Sequence, residues 1–310
     1  LKPGFALISV KKFLVIGQGH PPQRIYCLHQ QIEIAEEFAM LKSVLVHVYD
    51  DSGFENRLTA ALDLCRAHDA HLTCMHVTPY GAYATFDPAG GMFTSSVLIE
   101  ELRKTQDALQ RQVENRLSKE DVRWDWQAFD GDVAQTLVSA SSLADMVILG
   151  QAGPQKGDVA HPLPIVDAVV VHAGCPVLVV PTGCDRIDPT APVVVGWNAS
   201  EQAARAIRHA LPTLKMASAV HLVSIGNKEE EFPQTAASEY LSRHDIATEL
   251  HNLKPGVRDT DDVLHQFALD HGAGCILIGA YGHSRLRETL LGGVTRYLTM
   301  QSRVPLMLSR

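Results

Sequence analysis

Apolar runs recur in the same order in the two halves of the chain. Residues 44–52 read Val-Leu-Val-His-Val-Tyr-Asp-Asp-Ser, a β-branched run that ends in a small polar turn; residues 192–200 read Pro-Val-Val-Val-Gly-Trp-Asn-Ala-Ser. Laid over each other, Asp50 falls on Asn198 and Ser52 on Ser200. Each run leads into Ala, Leu and Ile at helical spacing, 56–68 and 201–214, and then into a second apolar run, 71–77 and 219–225. Further on, Met146-Val147-Ile148-Leu149-Gly150 matches Cys275-Ile276-Leu277-Ile278-Gly279 without a gap, so Gly153 falls on Gly282 and Pro176 on Pro305. The closing runs are 176–180 and 305–308. Only the middles differ. The first half carries a Gly- and aromatic-rich excursion, 79–95, and a long amphipathic pattern, 97–117, where the second has a short helical stretch, 236–243. Agreement at strands with divergence in loops is the pattern of a duplicated unit.

Strands that alternate with helices imply βαβ crossovers and a mostly parallel sheet covered on both faces. The fold predicted is α/β, two tandem doubly wound domains with mostly parallel five-stranded sheets: 40–184, then 190–310. A ligand in such a sheet belongs at the carboxyl ends of the strands, near the topological switch point. Residues 1–39 precede the first strand pattern and stand as an extension, with Met40 a candidate natural start.

Composition narrows the function classes. Hydrophobic residues make up 46% of the 310 and charged residues 20%, enough apolar side chain for two cores. The net charge of -8, without a dense Lys/Arg run, argues against a nucleic-acid partner. No stretch reaches the ~18 apolar residues of a membrane span. Six scattered cysteines, with no CxxC pair, fit reduced thiols in a cytoplasmic protein. Fifteen histidines invite a metal, but no i, i+4 pair with a third ligand stands out, so no metal site is expected.

The chemistry gathers after the last buried strand of the second half. Gly279-Ala280-Tyr281-Gly282-His283-Ser284-Arg285 leads to Gly292-Gly293-Val294-Thr295, where a helix is expected to begin. Glycines permit a tight turn and leave no Cβ in a ligand's way. Bare N–H groups at a helix start hold anions through hydrogen bonds and the helix dipole. A triphosphate could bind there without a Walker lysine, and no GxxxxGK[ST] occurs in the chain.

Gly279, Gly282 and Gly292, spaced as glycine, two residues, glycine, nine residues, glycine, make the sequence resemble the universal stress protein family. The likeness spans both halves from about Met40, as in a tandem two-domain member. It implies an adenine nucleotide alpha hydrolase-like fold and ATP, with or without Mg2+, bound in the second domain. On that resemblance the nucleotide residues are Gly196, Trp197, Asn198, Ile225, Ile278, Gly279, Gly282, His283, Ser284, Arg285, Gly292, Gly293, Val294 and Thr295. Asn198 stands where the family prefers Asp beside the nucleoside, Ile225 where an apolar residue meets adenine, and Gly293 where a hydroxyl residue is usual. In the first half Leu163 and Pro164 replace Gly292 and Gly293, which adds bulk and removes a donor, so that site is expected to be closed to ATP or changed for another ligand.

Plainer roles compete. Asp50 and Asn198 could cap the helices that follow them, Trp197 could pack, and the basic loop residues could face solvent. No residue declares itself as a catalytic base, so the reading is an ATP-responsive binding and regulatory module, with at most slow hydrolysis. The alternatives are a nucleotide-free interaction scaffold with a relic glycine loop and a phosphoryl-transfer enzyme. The resemblance also implies intramolecular pairing of the closing strands in place of a homodimer, with further dimerisation left open.

Overall fold

A computed structural model describes residues 40–79, 85–86, 92–93, 96–151, 165–226, 233–254, 259–280 and 293–310. The N-terminal residues 1–39 lie outside the described residues.

In the first half the order is β1 (Ser43–His47), α1 (Phe54–His68), β2 (His71–Thr78), the short pair β3 (Thr85–Phe86) and β4 (Met92–Phe93), α2 (Ser96–Leu117), β5 (Arg123–Asp130), α3 (Val133–Ser141), β6 (Met146–Gly150), α4 (Ile165–His172) and β7 (Val177–Val180). The second half repeats it as β8 (Val193–Gly196), α5 (Glu201–His209), α6 (Leu211–Met216), β9 (Val220–Ile225), α7 (Gln234–Ser242), β10 (Glu249–Leu253), α8 (Thr260–Asp270), β11 (Cys275–Gly279), α9 (Gly293–Gln301) and β12 (Leu306–Ser309). The single helix expected over 201–214 is two, because Pro212 starts a new first turn where its missing N–H and fixed φ are tolerated.

Ten strands make one sheet, β10-β9-β8-β11-β12-β7-β6-β1-β2-β5. Within this sheet the pairings inside each half are parallel, and the two halves meet at an antiparallel pair, β7 and β12, with Leu306 opposite Val179 and Leu308 opposite Val177; β3 and β4 form a separate antiparallel pair. Side chains reinforce this seam: Gln151 Nε2 donates to the Ser302 carbonyl at 2.8 Å and Arg310 Nη1 to the Val171 carbonyl at 3.0 Å. The connecting segment lies along α1, where Asn56 Nδ2 donates to the Cys184 carbonyl and Asp63 accepts from the Ile187 N–H.

Apolar strands face two cores. Val44 and Val46 join one cluster with Leu58, Ala61 and Leu62 of α1, while Leu45 faces the other with Val147 and Leu149. Burial on both faces is why these strands are near-continuously hydrophobic. The edge strands β5 and β10 read Arg-Trp-Asp-Trp-Gln-Ala-Phe-Asp and Glu-Leu-His-Asn-Leu, half-polar because only one neighbour and one face shelter them.

The ladders correct the alignment of the two halves by one residue. Val44 lies opposite Met146, and Val193 opposite Cys275, the residue that matches Met146. Val44 therefore corresponds to Val193, Tyr49 to Asn198 and Asp51 to Ser200. The similar turn residues Asp50 and Asn198 had drawn the sequences into the wrong register. A one-residue slip would send each strand's core face to the opposite side of the sheet, so strand pairing decides the equivalence.

Candidate functional site

In each half the strand order reverses between the first strand and the fourth, β1/β6 and β8/β11, and the crevice beyond their carboxyl ends is the place for a ligand. In the second half this point gathers Gly196 and Ile278, which face each other in the ladder, then Trp197, Asn198, Gly279 and, one strand over, Ile225. Because α9 returns from β11 to β12, the start of this helix, with Gly293, Val294 and Thr295, is at the same end of the sheet. The structure thus brings those nine expected residues to one edge. Tyr281, Gly282, His283, Ser284, Arg285 and Gly292 lie outside the described residues, as do Gly153, Leu163 and Pro164.

Several of the nine also have packing duties. A Cβ on Gly279 would lie 2.7 Å from the Gln202 carbonyl oxygen and closer still to the Ala203 nitrogen, so this glycine lets α5 start directly against the end of β11. Gly196 is confined by Ile278 and Leu264. Trp197 is 5% exposed and packs in the core, and Ile278 is buried as well. The cap of α5 is Ser200, not the expected Asn198: Ser200 Oγ accepts from the Ala203 N–H at 3.1 Å and donates to Asn198 Oδ1 at 2.6 Å, and Asn198 Oδ1 also accepts from the Ser200 N–H at 3.3 Å, so Asn198 holds the capping residue. Ala199, between them, has φ +57°. Gly293 differs, since a Cβ there would meet nothing within 4 Å. Among the described residues, no packing accounts for that glycine.

The first half is built differently at the corresponding point. Arg57, on the apolar face of α1, is 2% exposed. Its Nε donates to the His47 carbonyl at 3.2 Å, Nη2 to the Tyr49 carbonyl at 2.8 Å and Nη1 to Asp51 at 2.9 Å. A Cβ on Gly150, the counterpart of Gly279, would lie 3.2 Å from Arg57 Cζ and closer to Nη1. The guanidinium is therefore wedged between α1 and the end of β6, where the second half has helix backbone. Burial pulls Arg57 down from the usual arginine range, and the charge and hydrogen bond of Asp51 oppose this. The buried spacing Phe54, Arg57, Leu58, Ala61 matches Ala203, Ala206, Ile207, Ala210, so Ala206 is the counterpart of Arg57. Sequence reasoning missed this residue, although an arginine inside an apolar helical stripe was a legible signal.

Burial pushes the Cys65, Cys74, Cys175 and Cys275 thiols up to about 12, which keeps these four protonated. The histidines are another matter. No metal site was expected from helical spacing, yet pairing of β9 with β10 brings His221, Glu249 and His251 within 4.8 Å of one another.

The architecture defines the chain as a duplicated, doubly wound α/β protein with a topological switch point in each half. The universal stress protein family model matches residues 40–181 and again 190–310, and the chain belongs to that family. Two solved structures share the fold. A universal stress protein from Archaeoglobus fulgidus is 15% identical with a TM-score of 0.66, covering 86% of this chain and 98% of its own. A protein of unknown function from Pseudomonas aeruginosa PAO1 is 14% identical with a TM-score of 0.57, covering 87% and 93%. No curated protein matches the sequence. No helix among the described residues is long and apolar enough to cross a membrane.

Proposed function

We propose that this chain is a cytoplasmic stress-response regulator that binds ATP, with or without Mg2+, in its second half only. The observation that carries the reading is the contrast between the halves: a buried guanidinium wedged against Gly150 at the first switch point, and in the second an alanine at the position of Arg57, with a helix returning to that end of the sheet whose Gly293 would, as an alanine, meet no described residue within 4 Å. Backbone N–H groups at the start of α9 suit phosphate, and Ile225 suits a base. Pairing of β7 with β12 within one chain takes the place of a dimer between single-domain copies.

Calorimetric titration of the whole chain with ATP tests this. One ATP per chain is expected, and Gly292→Leu, which copies the first half, abolishes binding while the melting temperature without nucleotide stays near that of the parent. Unchanged affinity in that variant, or two ATP per chain, overturns the assignment.

A further inference from the structure

The strongest unassigned cluster lies at the other end of β9 from Ile225. His221 Nδ1 is 3.2 Å from His251 Nε2 and 3.4 Å from Glu249 Oε2, and His251 Nε2 is 3.8 Å from the same Glu249 oxygen. The geometry points to a metal site: His221, Glu249 and His251 form a three-ligand, zinc-type centre that clamps the edge strand β10 to β9.

Distances select the class of ion. Donors about 2.1 Å from a tetrahedral Zn2+ stand about 3.4 Å apart, while cis donors of an octahedral ion at similar bond lengths stand about 3.0 Å apart. The three separations here, 3.2, 3.4 and 3.8 Å, surround the tetrahedral edge. Two imidazoles and one carboxylate are the donor set of an open zinc site, with the fourth position left to water. Glu249 is solvent-exposed, which gives the ion an entry path, while His221 is buried.

The surroundings fit a cation. Helix α8 ends on the cluster, with His271 as its C-cap and the His271 ring 5.0 Å from that of His221. Helix C-termini carry the negative end of the dipole. His271 Nδ1 donates to the Phe267 carbonyl at 2.9 Å, which fixes this ring, and Phe267 packs 4.8 Å from the His251 ring to give an apolar wall.

The duplication supplies an internal comparison. Thr73, Asp125 and Gln127 occupy the positions of His221, Glu249 and His251. There the carboxylate accepts from the Thr73 hydroxyl and the Gln127 amide, each at 2.9 Å, and contacts His71 Nε2 at 2.8 Å. The second half keeps the carboxylate and replaces hydroxyl and amide, which suit a hydrogen-bonded network, with two imidazoles, which suit a borderline-soft metal.

The test uses the full chain, freed of metal with a chelator, and Zn2+ titrated against a chromophoric competitor. Expected are one Zn2+ per chain dependent on this cluster, a rise in melting temperature on loading, and intense visible absorption of a tetrahedral kind when Co2+ is used instead. Glu249→Gln and His251→Gln each weaken Zn2+ by more than about a hundredfold, beyond the upper end of an outer-shell loss. His71→Gln, in the first half, leaves it unchanged. Circular dichroism checks that each variant is folded. Failure of the parent to take up Zn2+, or Zn2+ affinity unchanged in both cluster variants, overturns the site and leaves the imidazoles as a hydrogen-bonded pair.

Discussion

The Arg57 guanidinium lies against Gly150, with Cζ 3.2 Å from where a glycine Cβ would be, and hands its three donor nitrogens to His47, Tyr49 and Asp51. Truncation takes the guanidinium away from the His47 and Tyr49 carbonyls and from the exposed Asp51 carboxylate. Arg57→Ala is therefore expected to cost about 1–3 kcal/mol, the range for leaving buried polar groups without their hydrogen-bond partner. Urea unfolding measures this; a loss below about 1 kcal/mol would show the wedge to be incidental.

Gly279 and Gly293 should respond oppositely to alanine. At 279 the new methyl meets the backbone of Gln202 and Ala203, which cannot move aside without shifting α5, so overpacking of about 1–3 kcal/mol is expected. At 293 the methyl meets no described residue within 4 Å, and helix propensity favours it slightly. Thermal melts of the two variants compare them directly. Equal destabilisation would contradict the packing account of Gly279.

His68 is fully buried, and neither ring nitrogen has a hydrogen-bond partner among the described residues. Burial, with a smaller contribution from Lys42, lowers its pKa from 6.5. The unfolded chain then binds the proton more readily, so the stability this group contributes is present above about pH 6.5 and lost as pH falls through the lower folded value. His68→Leu should flatten the acid side of the stability profile. Parallel profiles for the two proteins, from denaturant midpoints across pH 5–7.5, would refute the assignment.

Asp167 acts with the opposite sign. Burial raises it from 3.8 to about 6, against the pull of Arg296 from the other half. The folded chain holds this proton more tightly, so its contribution falls as pH rises from about 4 through 6. Asp167→Asn should remove that fall and leave the His68 component. Direct titration of the Asp167 carboxyl by NMR with a midpoint near 4 would rule this out.

The repeat, the buried strands and the switch-point glycines were legible in the sequence because each is a local pattern. Met146–Gly150 and Cys275–Gly279 have the bounds their apolar runs imply. The edge strands β5 and β10 were not legible, since exposure lets charged and amide residues interrupt their alternation. The turn after β1 misled by one residue, because Asp and Asn suit several turn positions while only strand pairing fixes register.

By itself the sequence determined the duplication and the α/β class, since these follow from the period of hydrophobic residues along the chain. Tertiary structure alone decided which side chains meet. Arg57 reaches the end of β6, 93 positions away from it at Gly150, through helix packing. His221 and His251, thirty residues apart, become neighbours because two parallel strands pair side by side. Spacing along a chain predicts contacts only within one helix or strand, and both of these contacts cross from one element to another.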